Sequence, residues 1–305
     1  MKIIIDGPSA NAWLLELKNV SVDEVEVSEQ IRLASDIAKK YIGNHLPNIK
    51  DELKYGSGYI LIKGVPIDLE TSGVDPRLET KIECPSISEL SLLGITAASG
   101  LRPFSYAQEK MGSLVHEVVP KPDCGNSVSS DGFVEFKLHA DGAYLNRAIR
   151  PETLSLMCLN NDAQTKTNLI LIDDVVHGMS RNDVDILSSL NYMHVSPETF
   201  GFGVKSKKIK SSIIDRVDGS WEVKVATHNT EPCGFEAESA LTRFIHMANS
   251  KVNAISWEPG DFVIFSNLRC LHGRGSISGR RWLKRCYGSR NMVCGSVVDL
   301  NDSVV

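Results

Sequence analysis

Apolar residues change their spacing near residue 112. Upstream, within 22–53, Ile31, Leu33, Ala34, Ile37 and Ala38 recur at helical intervals with charges between them, which predicts a helix. Residues 86–100 follow a proline, open Ser-Ile-Ser-Glu with a capping signature and end at glycine, which predicts a second. Between them the glycine-bounded run Gly58-Tyr59-Ile60-Leu61-Ile62-Lys63-Gly64 reads as a strand. Downstream, short β-rich runs follow one another at 113–119, 133–139, 152–159, 168–172, 212–216, 221–226, 254–257, 262–265 and 281–287. Asp218-Gly219, between two of these runs, is a hairpin signal. Helical inserts are expected at 176–190 and after Phe235, where Ala237, Leu241, Phe244, Ile245 and Ala248 share a face. The pattern is that of a mainly β protein with flanking helices. Its core is expected to be an antiparallel jelly roll, a double-stranded β-helix whose sheets close around a mouth suited to a site. No internal repeat, low-complexity tract or long linker breaks the chain. One domain is therefore expected over 1–305, with a mixed helical part to residue 110 and the jelly-roll core over 111–295.

Composition narrows the classes. Hydrophobic residues make up 42% and charged residues 23%, enough for a sizeable core. A formal net charge of −5 argues against nucleic-acid or membrane-surface partners, which select for a basic face. No run approaches the roughly 18 apolar residues of a membrane span. Met1-Lys2-Ile3-Ile4-Ile5-Asp6 breaks after three isoleucines, too short for a signal-peptide core, so a cytoplasmic location and a small-molecule partner are expected. Seven widely spaced cysteines without a Cys-x-x-Cys pair read as small buried hydrophobes rather than as disulfides or a zinc site.

Two histidines stand in contexts unlike the other six. His139 ends a strand-like run and is followed by Ala140 and Asp141. In extended backbone residues i and i+2 face the same way, so His139 and Asp141 can share one metal ion. His272, in Leu271-His272-Gly273-Arg274, falls on another strand expected to reach the same mouth. Two imidazoles and one carboxylate on one face of an ion leave three positions open, as oxygen-activating non-haem Fe(II) chemistry requires. His-X-Asp alone is a weak signal. It is strengthened nine residues after His272 by Arg281-Trp282-Leu283-Lys284-Arg285, where Arg281 and Arg285 share a face. A guanidinium fork matches a carboxylate, so this strand suits an anionic co-substrate.

In these blocks the chain resembles the Fe(II)/2-oxoglutarate-dependent oxygenases, in particular the clavaminate synthase-like branch, which includes hydroxylases of free arginine and asparagine. The likeness covers roughly residues 55 to 290 through ordered blocks at 56–68, 108–120, 127–130, 138–144, 150–152, 156–162, Thr167 and 259–285. It implies His139, Asp141 and His272 as the ligands and catalytic residues of an Fe(II) centre. It further implies 2-oxoglutarate and O₂ as co-substrates, Arg281 as the grip on the distal carboxylate of 2-oxoglutarate, and Thr167 as its support. Gln108, Ser129 and Arg285 match positions that hold the amino and carboxylate groups of an amino-acid substrate, and His228 is expected as a lid contact. The implied activity is hydroxylation of a free amino acid or close derivative at an unactivated β or γ carbon.

The chain departs from that branch in three ways. Asp141 stands where glutamate is more usual, the loop from His272 to Arg281 is short, and Ala226-Thr227-His228-Asn229-Thr230 lacks the aspartates with which arginine hydroxylases hold a guanidinium. The last departure favours a neutral or small polar side chain. Desaturation, ring closure, a non-catalytic metal-binding jelly roll and a zinc hydrolase remain open alternatives; chlorination is disfavoured because Asp141 supplies a carboxylate ligand. Asp174, His177 and Ser180 lie at one expected helix start without a Gly-x-Ser-x-Gly elbow and are set aside as a triad. His45, His116, His194 and His246 are expected to be structural. Gly201-Phe202-Gly203 is read as a turn and the lysine-rich run 205–210 as a solvated loop.

Overall fold

A computed structural model describes residues 1–20, 25–68, 86–197, 200 and 207–301. The chain opens with β1 (Lys2–Ile4) and helices α1 (Gly7–Lys18), α2 (Val27–Ile42) and α3 (Leu46–Lys54), followed by β2 (Tyr59–Lys63) and α4 (Ile87–Ala98). Next come β3 (Arg102–Tyr106), β4 (His116–Val118), β5 (Phe136–His139), β6 (Thr153–Asn160) and β7 (Thr167–Leu171). Two short helices, α5 (Ile172–Val176) and α6 (Arg181–Leu187), lead to β8 (Tyr192–Val195), β9 (Lys208–Ser211), β10 (Ile214–Val217), β11 (Ser220–Val223) and β12 (Thr230–Pro232). Helix α7 (Phe235–Ser250) precedes β13 (Asn253–Ile255), β14 (Phe262–Ser266), β15 (Cys270–Arg274), β16 (Trp282–Ser289) and β17 (Ser296–Val298).

An eight-stranded sheet runs β1-β2-β14-β6-β16-β3-β17, with β4 also paired to β16, and a four-stranded sheet runs β13-β7-β15-β5. These two sheets form the jelly roll. Period-two alternation sorts their side chains. On β14, Phe262 and Ile264 pack towards the N-terminal helices, whereas Val263 and Phe265 point between the sheets. On β6, Met157 and Leu159 face the helices and Leu154, Leu156 and Cys158 the inter-sheet core. Covered on both faces, β6, β14 and β16 are buried almost throughout. The smaller sheet follows the same rule: Leu138, Ile170 and Leu271 face a third cluster under α5 and α7, so His139 and His272 face inward.

Local signals explain most boundaries. Ser86 and Glu89 form a reciprocal capping box at the start of α4. Asp218 and Gly219 both have positive φ, 48° and 83°, as a two-residue hairpin turn requires, and β10 pairs with β11 across it. Two expected helices are divided. The helical stretch 22–53 breaks at Gly43–His45, and Pro47 begins α3 because its ring suits a first turn. The insert at 176–190 is not one helix: α5 ends at Val176, and the Ser180 side chain accepts from the Asp183 amide to start α6. Ser180 is thus an N-cap. Ile172, expected in a strand, opens α5 instead. The turn at 201–203 and the first lysine of the run after it lie outside the described residues.

His116 and His194 are fully buried. His194 bonds the Ser212 carbonyl through Nε2 at 2.9 Å and Thr230 Oγ1 through Nδ1 at 3.2 Å. Burial pushes both imidazoles down to about 4. Both are therefore neutral in the fold at pH values where the unfolded chain, titrating near 6.5, already binds protons. Stability is expected to be fully expressed above about pH 6.5 and to fall as pH drops towards about 4. Urea midpoints across that window should decline, and decline less steeply in His194→Gln; a slope identical in the variant would refute the assignment.

Candidate active site

Strand pairing builds the centre. β15 runs antiparallel to β5 with His272 directly opposite His139, and their ring centroids are 4.0 Å apart. Asp141 follows β5, its amide and carbonyl both held by the Asn267 side chain at 2.8 and 2.9 Å. Its Oδ1 lies 3.3 Å from His139 Nε2 and 3.6 Å from His272 Nε2. One ligand atom from each residue falls within 4.8 Å of the others, and all three residues are buried.

The donor set fits a metal ion. His139 Nδ1 donates to the Lys137 carbonyl at 2.8 Å, which leaves Nε2 as a lone pair without a protein partner, aimed at Asp141. Burial lowers the His272 imidazole to about 3, with His139 adding to the effect, so it too is neutral and able to ligate. The other carboxylate oxygen, Asp141 Oδ2, accepts from Arg285 Nη1 at 2.9 Å and lies 3.1 Å from the Tyr287 hydroxyl, whose single proton it shares with Glu109 Oε2. Burial raises the Asp141 carboxyl, but Arg285 and the two imidazoles outweigh it and hold the group well below the usual carboxylate range.

Arg285 is the hub of this wall. Its Nη2 donates to Glu109 Oε1 and, at 2.7 Å, to His116 Nδ1; Tyr287 donates to Glu109 Oε2 at 2.9 Å. Burial opposes the charge on Arg285, while Tyr287, Glu109 and Asp141 reinforce it and raise its pKa above the usual range. Its Nε retains no partner among the described residues.

Leu283, Arg285 and Tyr287 alternate onto the inner face of β16, and Arg281, just before the strand, reaches Thr167 of β7. Arg281 is 3% exposed and donates to Thr167 Oγ1 at 3.3 Å, an oxygen that also takes Trp257 Nε1 at 2.9 Å. Burial and the charge of Arg274 push the Arg281 guanidinium down to about 9, and its Nε is unpartnered. Among the described residues this buried cation is answered only by a hydroxyl, so its guanidinium retains the capacity to pair with a carboxylate.

A cavity opens on the centre. Ser129, His139, Asp141, His228, Arg285 and Glu109 are among its lining. Ser129 stands in a loop tied to β15 by Arg274, whose guanidinium donates to the carbonyls of Ser129, Gly132, Val134 and Gly275. Gly132 makes that loop possible, since a Cβ there would fall 1.8 Å from the Ser127 carbonyl oxygen. His228 packs edge-on to Phe136 and His139; burial lowers it to about 4, so it is uncharged. Gln108 is placed elsewhere: its amide bonds Asp299 and the Leu300 amide. Glu109 is extended, so successive side chains diverge and Glu109, which the sequence reading passed over, reaches the cavity. Tyr287 was passed over as well, whereas His116, expected to be structural, is buried against Arg285. Tyr287 was open to discovery, being two residues beyond Arg285 on the same face.

The family model for the taurine catabolism dioxygenase TauD, TfdA family matches residues 47–287. The chain therefore belongs to that family. It is 26% identical over 240 residues to the L-asparagine oxygenase of Streptomyces coelicolor, covering 75% of this chain and 70% of that protein. With the enduracididine beta-hydroxylase of Streptomyces hygroscopicus it shares 23% identity, with 89% and 88% covered. Asparagine oxygenase solved with Fe(II), 2S,3S-3-hydroxyasparagine and succinate superposes with a TM-score of 0.83 at 19% identity, covering 97% of this chain and 94% of that one. The non-heme iron oxygenase OrfP, solved with Fe and alpha-ketoglutaric acid, gives 0.81 at 19%, covering 95% and 94%. Among the described residues no helix is long and apolar enough to cross a membrane.

The contacts to Asp141 Oδ2 carry a test. Tyr287→Phe keeps the ring but removes one donor, and Arg285→Gln removes the cation. Each is expected to weaken Fe(II) binding at least roughly tenfold, as loss of a partner behind a ligand does, measured by competition with a chelator. Unaltered affinity in both variants would show that these contacts do not position the carboxylate.

Proposed function

We propose that this chain is an Fe(II)- and 2-oxoglutarate-dependent oxygenase that hydroxylates a free amino acid or close derivative at its β or γ carbon. The observation that carries the reading is the pairing of a two-histidine, one-carboxylate centre with a buried Arg281 that has no acidic partner among the described residues. His139, Asp141 and His272 would hold the iron and leave open positions for a co-substrate. When bound, the iron couples oxidative decarboxylation of 2-oxoglutarate by O₂, which yields succinate and CO₂, to insertion of oxygen into a C–H bond.

The protein's own share is placement. Arg281, steadied by Thr167, would grip the distal carboxylate of 2-oxoglutarate. Arg285 offers an unfilled Nε–H to the substrate carboxylate, and Glu109, Ser129 and the outer oxygen of Asp141 provide acceptors for its ammonium group. Gln108 takes no part in this arrangement, because its amide is committed to the C-terminal segment. His228 would border the substrate as a neutral ring. Hydroxylation of asparagine and enduracididine by relatives agrees with a zwitterionic substrate here.

Succinate release in the presence of an amino-acid pool should require both Fe(II) and 2-oxoglutarate and be accompanied by a product one oxygen heavier. Asp141→Ala should reduce it at least about a hundredfold, and Arg281→Gln should raise the KM for 2-oxoglutarate at least about tenfold while leaving Fe(II) affinity unchanged. Turnover that persists without 2-oxoglutarate would refute the proposal.

A further inference from the structure

Resting on that reading, we infer that the substrate is an amino acid with an apolar side chain. The charged groups in the described cavity lining are Glu109, Asp141 and Arg285, and they form one bonded cluster. This cluster has the chemistry to receive the carboxylate and ammonium that every free amino acid carries, and no further carboxylate of the described lining stands ready for a second cation.

The rest of the described lining is mostly carbon, from Val128, Ala143, Val195, Pro197 and Phe200, with Ser129, Ser130, the Tyr144 hydroxyl and the Asn229 amide as its neutral polar groups. Phe200 stands edge-on to Tyr144, with ring centroids 5.6 Å apart, and so presents packed aromatic surface. Among the described residues an ammonium or guanidinium side chain would give up its hydration here without a free counter-charge, whereas each methylene of an aliphatic chain gains from leaving water. Discrimination follows from that asymmetry.

The test is a panel on the Fe(II)-loaded wild-type protein with 2-oxoglutarate and O₂, scored by succinate and by a mass gain of one oxygen. Leucine, isoleucine, valine, methionine and phenylalanine are set against arginine, ornithine, lysine, aspartate, glutamate, asparagine and glutamine. The best apolar amino acid should exceed every charged one by at least about 100-fold in kcat/KM, with the amides below it. A charged or amide substrate at the top would overturn the inference while leaving the hydroxylase reading intact. Absence of oxygenated product from every amino acid would overturn both. Val128→Asp, at a partly exposed position that tolerates a charge, should raise the ratio of lysine to leucine kcat/KM at least about tenfold. An unchanged ratio would show that this wall does not select the side chain.

Discussion

One buried carboxylate has to satisfy two sets of partners, and the architecture of the site follows from that demand. Asp141 Oδ1 faces two imidazole nitrogens, and Oδ2 takes a hydrogen bond from Arg285 and shares the Tyr287 proton with Glu109. An isolated carboxylate in this environment would become protonated rather than stay charged. The guanidinium on one side and the proposed metal position on the other make the ionised form the stable one. The arrangement also suits the short side chain: with Oδ2 held, Oδ1 is left alone to face His139 and His272.

The same demand explains why two strands distant in sequence are registered so closely. His139 and His272 lie opposite one another, and a one-residue slip of β15 would turn His272 towards the α7 side and bring Leu271 or Gly273 inward. Register is held by apolar positions on both sides of the small sheet. Leu138, Ile170 and Leu271 are buried under the helices, and Leu169 and Cys270 between the sheets. Packing that has no chemistry of its own thereby places the histidines.

How much of this could be read beforehand depended on whether a residue's role lay in its own neighbourhood. The His139/Asp141 and Arg281/Arg285 pairs were legible because an even spacing in extended backbone points two side chains the same way, although Asp141 follows β5 and Arg281 precedes β16. The jelly roll was legible for the same reason, as were the hairpin at Asp218-Gly219 and the α4 cap. Glu109 was not: its value comes from Arg285 and Tyr287, 176 and 178 positions away, and nothing around it marks it. Gln108 was expected because the family resemblance implied it, and the extended backbone at Glu109 turns the two neighbouring side chains apart. Short strands such as β8, β9 and β12 escaped detection because a few half-buried residues carry too little periodicity. The division of the 176–190 insert rested on a serine cap inside an otherwise helical pattern.

An acidic chain that concentrates cations along β15 and β16 invites the question of what each one answers. Lys284 points outward to Glu89 and Glu117 beneath α4, where two carboxylates offset its burial. Arg274 spends its guanidinium on four backbone carbonyls and so fastens the Ser129 loop. Arg285 is matched by Asp141 and Glu109. Among the described residues Arg281 meets only a threonine hydroxyl, although burying an unmatched charge costs several kcal/mol. Such a cost, three residues from a compensated lysine, supports the proposal that an anion comes to that place. The imbalance at Arg281 therefore says more about the co-substrate than the net charge of the whole chain does.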